Sequence, residues 1–137
     1  MKIKYTKELL DTMGIFSAVT GASLKDCFEV DEMIYFVVES GQIGKAVGKG
    51  AINVKKLQHK FNKKIKIIEF NPDLLKFMAN VIFPFKVDSI TEADGVVSLK
   101  SQDRQTKALL IGRNAKNLKI MTNVVKRYFT ISQIKVE

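Results

Sequence analysis

"AVGKGAINVKKLQHK", residues 46–60, is the stretch that decides the fold of this chain. It places a short glycine turn with a lysine directly before a lysine-rich amphipathic segment. A similar stretch, "LLIGRNAKNLKIMTN", lies at residues 109–123, sixty-four residues later when counted from Gly48 to Gly112. In this register seven of nine consecutive positions are identical or similar: Val47/Ile111, Gly48/Gly112, Lys49/Arg113, Ala51/Ala115, Asn53/Asn117, Val54/Leu118 and Lys55/Lys119. So many matches in one short window indicate an internal duplication.

Each half of the chain has the same predicted order of elements: helix, strand, strand, helix, helix, strand. In the first half the predicted elements are residues 6–20, 25–30, 33–39, 42–47, 52–61 and 64–70. In the second half they are residues 72–83, 85–90, 95–101, 106–111, 116–129 and 131–137. Asn71 is the predicted cap of the first helix in the second half, with Pro72 at its first position. A turn at residues 92–95 joins the two strands of the second hairpin.

These elements predict an α+β fold with two domains. Residues 1–70 form the first domain, including an N-terminal helix, and residues 71–137 form the second. The junction at residues 70–71 contains no Gly/Ser-rich linker, so we expect the two domains to pack directly on each other.

The formal net charge of +9 is concentrated in two segments that contain no acidic residue. One lies between Glu39 and Glu69, the other between Asp103 and Glu137, and each holds eight basic residues. Basic blocks of this kind indicate a polyanionic partner, although a single one would more simply be a solvated helix face. Two such blocks, each built around a glycine turn, favour nucleic acid.

Composition excludes several other classes. One cysteine and one histidine are too few for a disulfide or a conventional zinc site. The sequence shows no nucleophile–base pair and no metal cluster, so we expect a non-enzymatic protein without a cofactor. No apolar run is long enough to span a bilayer, and the N-terminus lacks a secretory signal, so we expect a cytoplasmic protein.

The glycine turns do not match a nucleotide-binding loop. A Walker A sequence needs a glycine five residues before Gly48 and a hydroxyl residue after Lys49, but those positions hold Ile43 and Gly50. A helix-turn-helix that reads DNA stays open as a minor alternative. It is disfavoured because the helices after the turns carry mainly lysine, which suits phosphate contacts better than base edges.

A loop that grips a single-stranded backbone agrees better with both turns. Small residues let a sugar-phosphate chain approach the unpaired N–H groups at the start of the second helix, and a basic residue adds a phosphate contact. The residues predicted to bind such a strand in the first domain are Lys45, Gly48, Lys49, Gly50, Ala51, Asn53, Lys55 and Lys56. Those in the second domain are Gly112, Arg113, Asn114, Ala115, Lys116, Asn117 and Lys119. Apolar neighbours, of which we expect at least half to be core, form the floor: Val47, Ile52, Val54, Ile111 and Leu118.

Both stretches resemble the Ile-Gly-x-x-Gly turn of KH domains, a loop that clamps about four nucleotides. The element order is that of the prokaryotic, type II KH domain, and two such units in tandem resemble the archaeal NusA-like proteins. Residues 19–38 and 70–90 are similar to the first hairpin and the inter-unit segment of that family. The resemblance implies binding of single-stranded RNA in transcription elongation or termination. We expect a monomer, with RNA polymerase or other transcription factors as candidate further partners. A ribosome-assembly or protein-interaction scaffold of KH fold remains the alternative.

Both turns depart from the KH signature at their fourth position, where Ala51 and Ala115 replace glycine. Alanine fits there without strain if it begins the helix with a negative φ, whereas a positive φ would hinder the clamp. Asn114 replaces a glycine or a basic residue at the third position of the second turn, and asparagine tolerates left-handed geometry better than most residues. We expect Cys27 and most aromatic residues to pack inside the domains: Tyr5, Phe61, Phe85, Tyr128 and Phe129.

Overall fold

The computed structural model describes residues 7–137, and the chain separates into two compact units between Asn71 and Pro72. Each unit combines a three-stranded sheet with three helices, which confirms the predicted α+β class. Within the described residues, no helix has both the length and the apolar character needed to cross a membrane.

The first unit contains six regular elements in the predicted order. They are α1 (Lys7–Thr20), β1 (Leu24–Val30), β2 (Met33–Val38), α2 (Ile43–Val47), α3 (Ile52–Phe61) and β3 (Lys64–Glu69). Strand β2 lies between an antiparallel β1 and a parallel β3. The parallel pairing requires a crossover from β2 to β3, and α2 and α3 supply it. A short 3₁₀ turn, Lys49–Ala51, joins these two helices.

The core of the first unit forms where the helices cover one face of the sheet. The rings of Phe16 on α1 and Phe36 on β2 stack with their centroids 4.3 Å apart, and neither is exposed. Leu57 of α3 joins the same buried cluster, as does Cys27, which confirms its predicted core position. Each such fully buried apolar side chain contributes about 2 kcal/mol to folding. This core fixes the position of α3, and therefore of the turn that precedes it.

The second unit repeats this architecture. Its elements are α4 (Leu74–Ile82), β4 (Ser89–Ala93), β5 (Val96–Lys100), α5 (Arg104–Ile111), α6 (Lys116–Lys126) and β6 (Gln133–Val136). Strand β5 is central, antiparallel to β4 and parallel to β6. A second 3₁₀ turn, Arg113–Ala115, joins α5 to α6. The same element order and strand pairing in both units confirm the internal duplication.

The predicted start of α4 is wrong. Asp73, not Asn71, caps this helix, and its Oδ1 accepts hydrogen bonds from the N–H groups of Leu75 at 3.0 Å and Lys76 at 3.4 Å. Asp73 has the extended backbone of an N-cap residue, so Pro72 precedes the cap rather than occupying the first helical position.

Other boundaries in the second unit also differ from the predictions, most clearly those of β4 and α6. Residues 85–88 lie outside the strand, and the N–H of Phe85 donates to the carbonyl of Ile82, at 2.9 Å. Strand β4 starts at Ser89 and includes Glu92, which the sequence predicts in the turn. Helix α6 ends at Lys126 instead of residue 129.

The chain after α6 leaves the helix so that two aromatic rings can pack on α4. The ring centroids of Tyr128 and Phe129 each lie 5.5 Å from that of Phe77. Contacts of this kind contribute about 1 kcal/mol beyond the area they bury. They confirm the predicted packing role of both aromatic residues; Tyr5, for which the same was expected, lies outside the described residues.

Candidate nucleic-acid interface

The two glycine turns have nearly the same backbone. Gly48 has φ 77° and ψ 166°, and Gly112 has φ 75° and ψ 173°. In each turn the N–H of the alanine closes the loop on the glycine carbonyl, at 3.1 Å for Ala51 and 3.2 Å for Ala115. The sixty-four-residue sequence repeat is therefore also a repeat of geometry.

Both alanines of the turns adopt the left-handed conformation. Ala51 has φ 60° and ψ 29°, and Ala115 has φ 59° and ψ 25°. The residue before each alanine, Gly50 or Asn114, is left-handed as well. The condition under which alanine would fit without strain, a negative φ, is thus not met. Left-handed geometry costs an alanine about 1–2 kcal/mol, so each turn stores strain.

The apex of each turn is open and rich in hydrogen-bond donors. Because the closing bond uses the N–H of Ala51, the N–H groups of Lys49 and Gly50 take no part in it. Both residues are exposed, as are Arg113 and Asn114 in the second turn. Backbone N–H groups at the start of a helix, together with the positive end of its dipole, form a favourable site for an anion.

Exposed cations lie on the first turn and on the two helices that it joins. Lys45, Lys49, Lys55 and Lys56 are all exposed, and none forms an ion pair with a carboxylate of residues 7–137. The second apex has a similar set of exposed basic residues: Arg113, Lys116 and Lys119. In each unit the predicted turn residues and exposed basic residues therefore lie on one turn and the helices that it joins.

Two lysines of the first basic block do not contribute to this surface. Lys63 pairs with Glu29 at 2.8 Å, and the hydrogen bonds that its ammonium donates to that carboxylate raise the pKa of Lys63. Lys66 lies partly buried in β3, and burial lowers its pKa. A count of basic residues thus overstates the charge that a ligand at the turn would meet.

Curated relatives place the chain in a family. It is 36% identical over 140 residues to the probable transcription termination protein NusA of Methanococcus vannielii, covering 99% of this chain and 80% of the relative. The corresponding protein of Methanocaldococcus jannaschii is 34% identical over 139 residues, covering 98% of this chain and 75% of the relative. This chain belongs to the archaeal NusA-like family. The probable transcription termination protein NusA of Thermoplasma acidophilum is 30% identical over 142 residues, covering 99% of this chain and 96% of the relative.

A solved structure supports the fold of this NusA-like protein. The crystal structure of APE1850 matches with a TM-score of 0.75 and 26% sequence identity, covering 96% of this chain and 99% of that one. No protein-family model matches the chain. The two units are thus tandem KH-like units with the predicted type II element order.

Two of the predicted site residues in the NusA-like chain have internal hydrogen bonds. Asn53 donates from Nδ2 to the carbonyl of Lys45 at 3.0 Å. Asn117 donates from Nδ2 to the carbonyl of Leu109 at 2.9 Å. Their amide donors therefore point back to the preceding helix. The spacing of five residues between glycine and asparagine in both turns was visible in the sequence, but it does not reveal this partner.

The apolar residues beside the turns are more exposed than expected. None of the five predicted floor residues is fully buried, although at least half were expected in the core, and Ile52 is 46% exposed. Leu109, which sequence reasoning missed, is 45% exposed. In the repeat register Leu109 matches Lys45, and Lys116 matches Ile52. The first NusA-like turn thus has a lysine before it and an exposed aliphatic residue after it. The second turn has the aliphatic residue before it and the lysine after it.

Proposed function

We propose that this NusA-like protein binds single-stranded RNA through both turns and acts on transcription elongation or termination. The observation that supports this most strongly is the repeated turn, with exposed residues at its apex and exposed cations beside it, at the same place in two units. The curated relatives are named as transcription termination proteins, which supports the process proposed here.

The proposed mechanism is capture of the RNA backbone. A phosphate lies against the N–H groups of Lys49 and Gly50, and the ammonium of Lys49 neutralises it. Arg113 does the same at the second turn, where its planar guanidinium can hold two phosphate oxygens. The exposed lysines of α3 and α6, Lys55 and Lys119 among them, continue the positive surface along the strand.

The exposed aliphatic residues give the bases a place to lie. Ile52 at the first turn and Leu109 at the second present apolar surface next to the phosphate position. Unstacked bases pack on such surface through their faces, which all four bases share. We therefore expect weak sequence preference from these contacts, and strong dependence of affinity on salt because phosphates dominate binding.

Charge reversal at the two apices tests this proposal. We expect Lys49→Glu combined with Arg113→Glu to weaken binding of a short single-stranded RNA at least tenfold. The slope of log affinity against log salt should become shallower by about 1.4, since each lost phosphate contact on a single strand accounts for about 0.7. Fluorescence anisotropy at several salt concentrations measures both quantities.

Lys7→Glu combined with Lys135→Glu is the matched control. It changes the net charge by the same amount at exposed positions on α1 and β6, outside the turns. If both double variants weaken binding equally, the RNA responds to net charge and not to the turns. If neither variant changes affinity or salt slope, the alternative of a protein-interaction scaffold is preferred.

A further inference from the structure

An asparagine connects the two helices across each turn. Asn53 lies in the first turn of α3, and its Nδ2 reaches back across the loop to the carbonyl of Lys45 in α2, at 3.0 Å. Asn117 makes the same bond from α6 to the carbonyl of Leu109 in α5, at 2.9 Å. Each bond spans eight residues in sequence. Its presence in both units, with different residues around it, indicates a function that the duplication has kept.

The bond caps the C-terminal end of the preceding helix, α2 or α5, because Nδ2 donates to a backbone carbonyl there. Ala51 and Ala115 occupy the N-cap positions of α3 and α6, and neither helix has a side-chain cap hydrogen bond. The carbonyls at the end of a short helix also lack partners within that helix. The asparagine amide satisfies one such carbonyl and holds the end of one helix to the start of the next.

The asparagine side chain also packs against the glycine of the turn. A Cβ atom added to Gly48 would lie 2.9 Å from Nδ2 of Asn53, and one added to Gly112 would lie 2.7 Å from Nδ2 and Cγ of Asn117. Real Cβ atoms essentially never lie this close to a non-bonded heavy atom. The amide therefore occupies the space that a side chain at the glycine would need, and the two residues form a matched pair.

We infer that Asn53 and Asn117 are positioning residues that hold the two turns in the conformation that binds RNA; this rests on the proposed function of the turns. A pair of left-handed residues in sequence persists only where the surroundings enforce it. The asparagine supplies that constraint from one side through its hydrogen bond and from the other through its contact with glycine. It acts on the ligand through the N–H groups of the apex, and its Nδ2 does not read bases.

The first test compares two asparagines on one helix. Asn117→Ala should weaken RNA binding about tenfold, which is the loss of about 1.4 kcal/mol. Asn123→Ala is the control, since Asn123 is exposed on the same helix and no contact of its side chain is part of the turn. Asn53→Ala tests the first unit in the same way. Thermal unfolding of each variant identifies any loss of affinity that comes from loss of folding.

A second substitution keeps the inference testable if alanine disrupts the fold. Asn117→Asp has the same size and shape but cannot donate to the Leu109 carbonyl at neutral pH. We expect it to weaken binding more than Asn123→Asp, which adds the same charge to the same helix. Equal losses in the two aspartate variants would mean that charge alone is responsible, and the positioning role would be wrong.

A double-mutant cycle separates positioning from direct contact. If Asn117 acts through the apex, Arg113→Ala should lose much of its effect once Asn117→Ala is present. If Asn117 contacts RNA by itself, the two losses add, and the inference is overturned.

The conformation of the turn can be measured without RNA. The coupling between the amide and α protons reports φ of Ala115 by NMR in the free protein. We expect Asn117→Ala to shift this residue away from its left-handed φ. If the unmodified protein does not bind RNA, the proposed function fails, yet this measurement still tests the connection between the helices. An unchanged φ of Ala115 in Asn117→Ala would overturn the inference whatever the RNA result.

Discussion

Gly48 lies in a region of φ and ψ that is essentially restricted to glycine, whereas its neighbour Gly50 is in the ordinary left-handed region. A Cβ at Gly48 would meet Asn53 and Ile52 at 2.9 Å, and a Cβ at Gly50 would meet nothing within 4 Å. We therefore expect Gly48→Ala to lower the free energy of unfolding by about 3 kcal/mol and Gly50→Ala by about 1 kcal/mol. Urea unfolding of both variants measures the difference. Equal losses would show that Asn53 moves aside at little cost.

The left-handed alanines lead to the opposite expectation. Ala115→Gly removes a Cβ from a residue with φ 59°, so we expect it to raise the free energy of unfolding by about 1 kcal/mol. Ala108→Gly, at an exposed position within α5, is the control and should lower that free energy by about 1 kcal/mol. Losses in both variants, again measured in urea, would mean that the left-handed conformation of Ala115 carries no strain.

At the residue scale, the sequence predicts which cations and glycines belong to the candidate site, but it does not predict the backbone conformation of the two turns. Lys49 and Arg113 are exposed at the apex, where the motif places them. The left-handed φ of Ala51 could not be predicted, because alanine by itself prefers the opposite sign and the tertiary contacts of the turn decide the matter. The hydrogen-bond acceptor of Asn53 could not be predicted either, because a hydrogen bond across a loop depends on how the two helices cross.

At the element scale, the two hairpin turns differ in how well their residues suit the backbone conformation that the fold imposes. Both have two-residue turns with positive φ at each position, the geometry of a type I′ turn: Asp31 and Glu32 in the first, Asp94 and Gly95 in the second. Asp-Gly suits this geometry, and Glu32, with φ 63°, does not.

We expect Glu32→Gly to raise the free energy of unfolding by about 1 kcal/mol, since it removes a strained Cβ from the turn. Glu32→Gln removes the charge but keeps the Cβ, so it should have little effect. Thermal or urea unfolding compares the two. If Glu32→Gln stabilises as much as Glu32→Gly, the carboxylate and not the backbone is the source of the cost.

A helix or strand is predicted correctly where the residues that determine its bounds are adjacent in sequence. Helix α3 has the predicted bounds because its apolar spacing and the turn before it are encoded in adjacent residues. The start of α4 was wrong because Asn71 and Asp73 are both good capping residues, and only the backbone of the folded chain selects between them. The end of α6 was wrong because Tyr128 and Phe129 pack on Phe77, which is distant in sequence.

At the scale of the whole molecule, duplication has produced two related but distinct sites. Lys49 and Gly50 at the first apex correspond to Arg113 and Asn114 at the second, and the lysine and aliphatic positions beside each turn are exchanged. The duplication was readable because the turn sequences kept their register. The exposure of Ile52 and Leu109 was not readable, because apolar residues at helical spacing more often lie in a core.

The proposed binding of RNA at both turns leads to a prediction about RNA length. Once one turn holds a strand, the other meets the rest of it at an effective concentration in the millimolar range, so binding of both is favoured without any new contact. We expect an RNA long enough for both turns to bind at least tenfold more tightly than one that fills a single KH-like unit, which is about four nucleotides. Anisotropy with a series of unstructured RNAs of increasing length measures this.

The single variants decide whether that gain comes from the two turns. Lys49→Glu and Arg113→Glu should each remove the step in affinity with length, because either one leaves a single competent turn. Binding of the shortest RNA should then fall only in part, since the other turn still holds it. If the step persists in Arg113→Glu but disappears in Lys49→Glu, the longer RNA follows the lysines of α3 from the first turn, and the second unit is not a binding partner of the same strand. Persistence in both variants would place the length dependence outside the turns altogether.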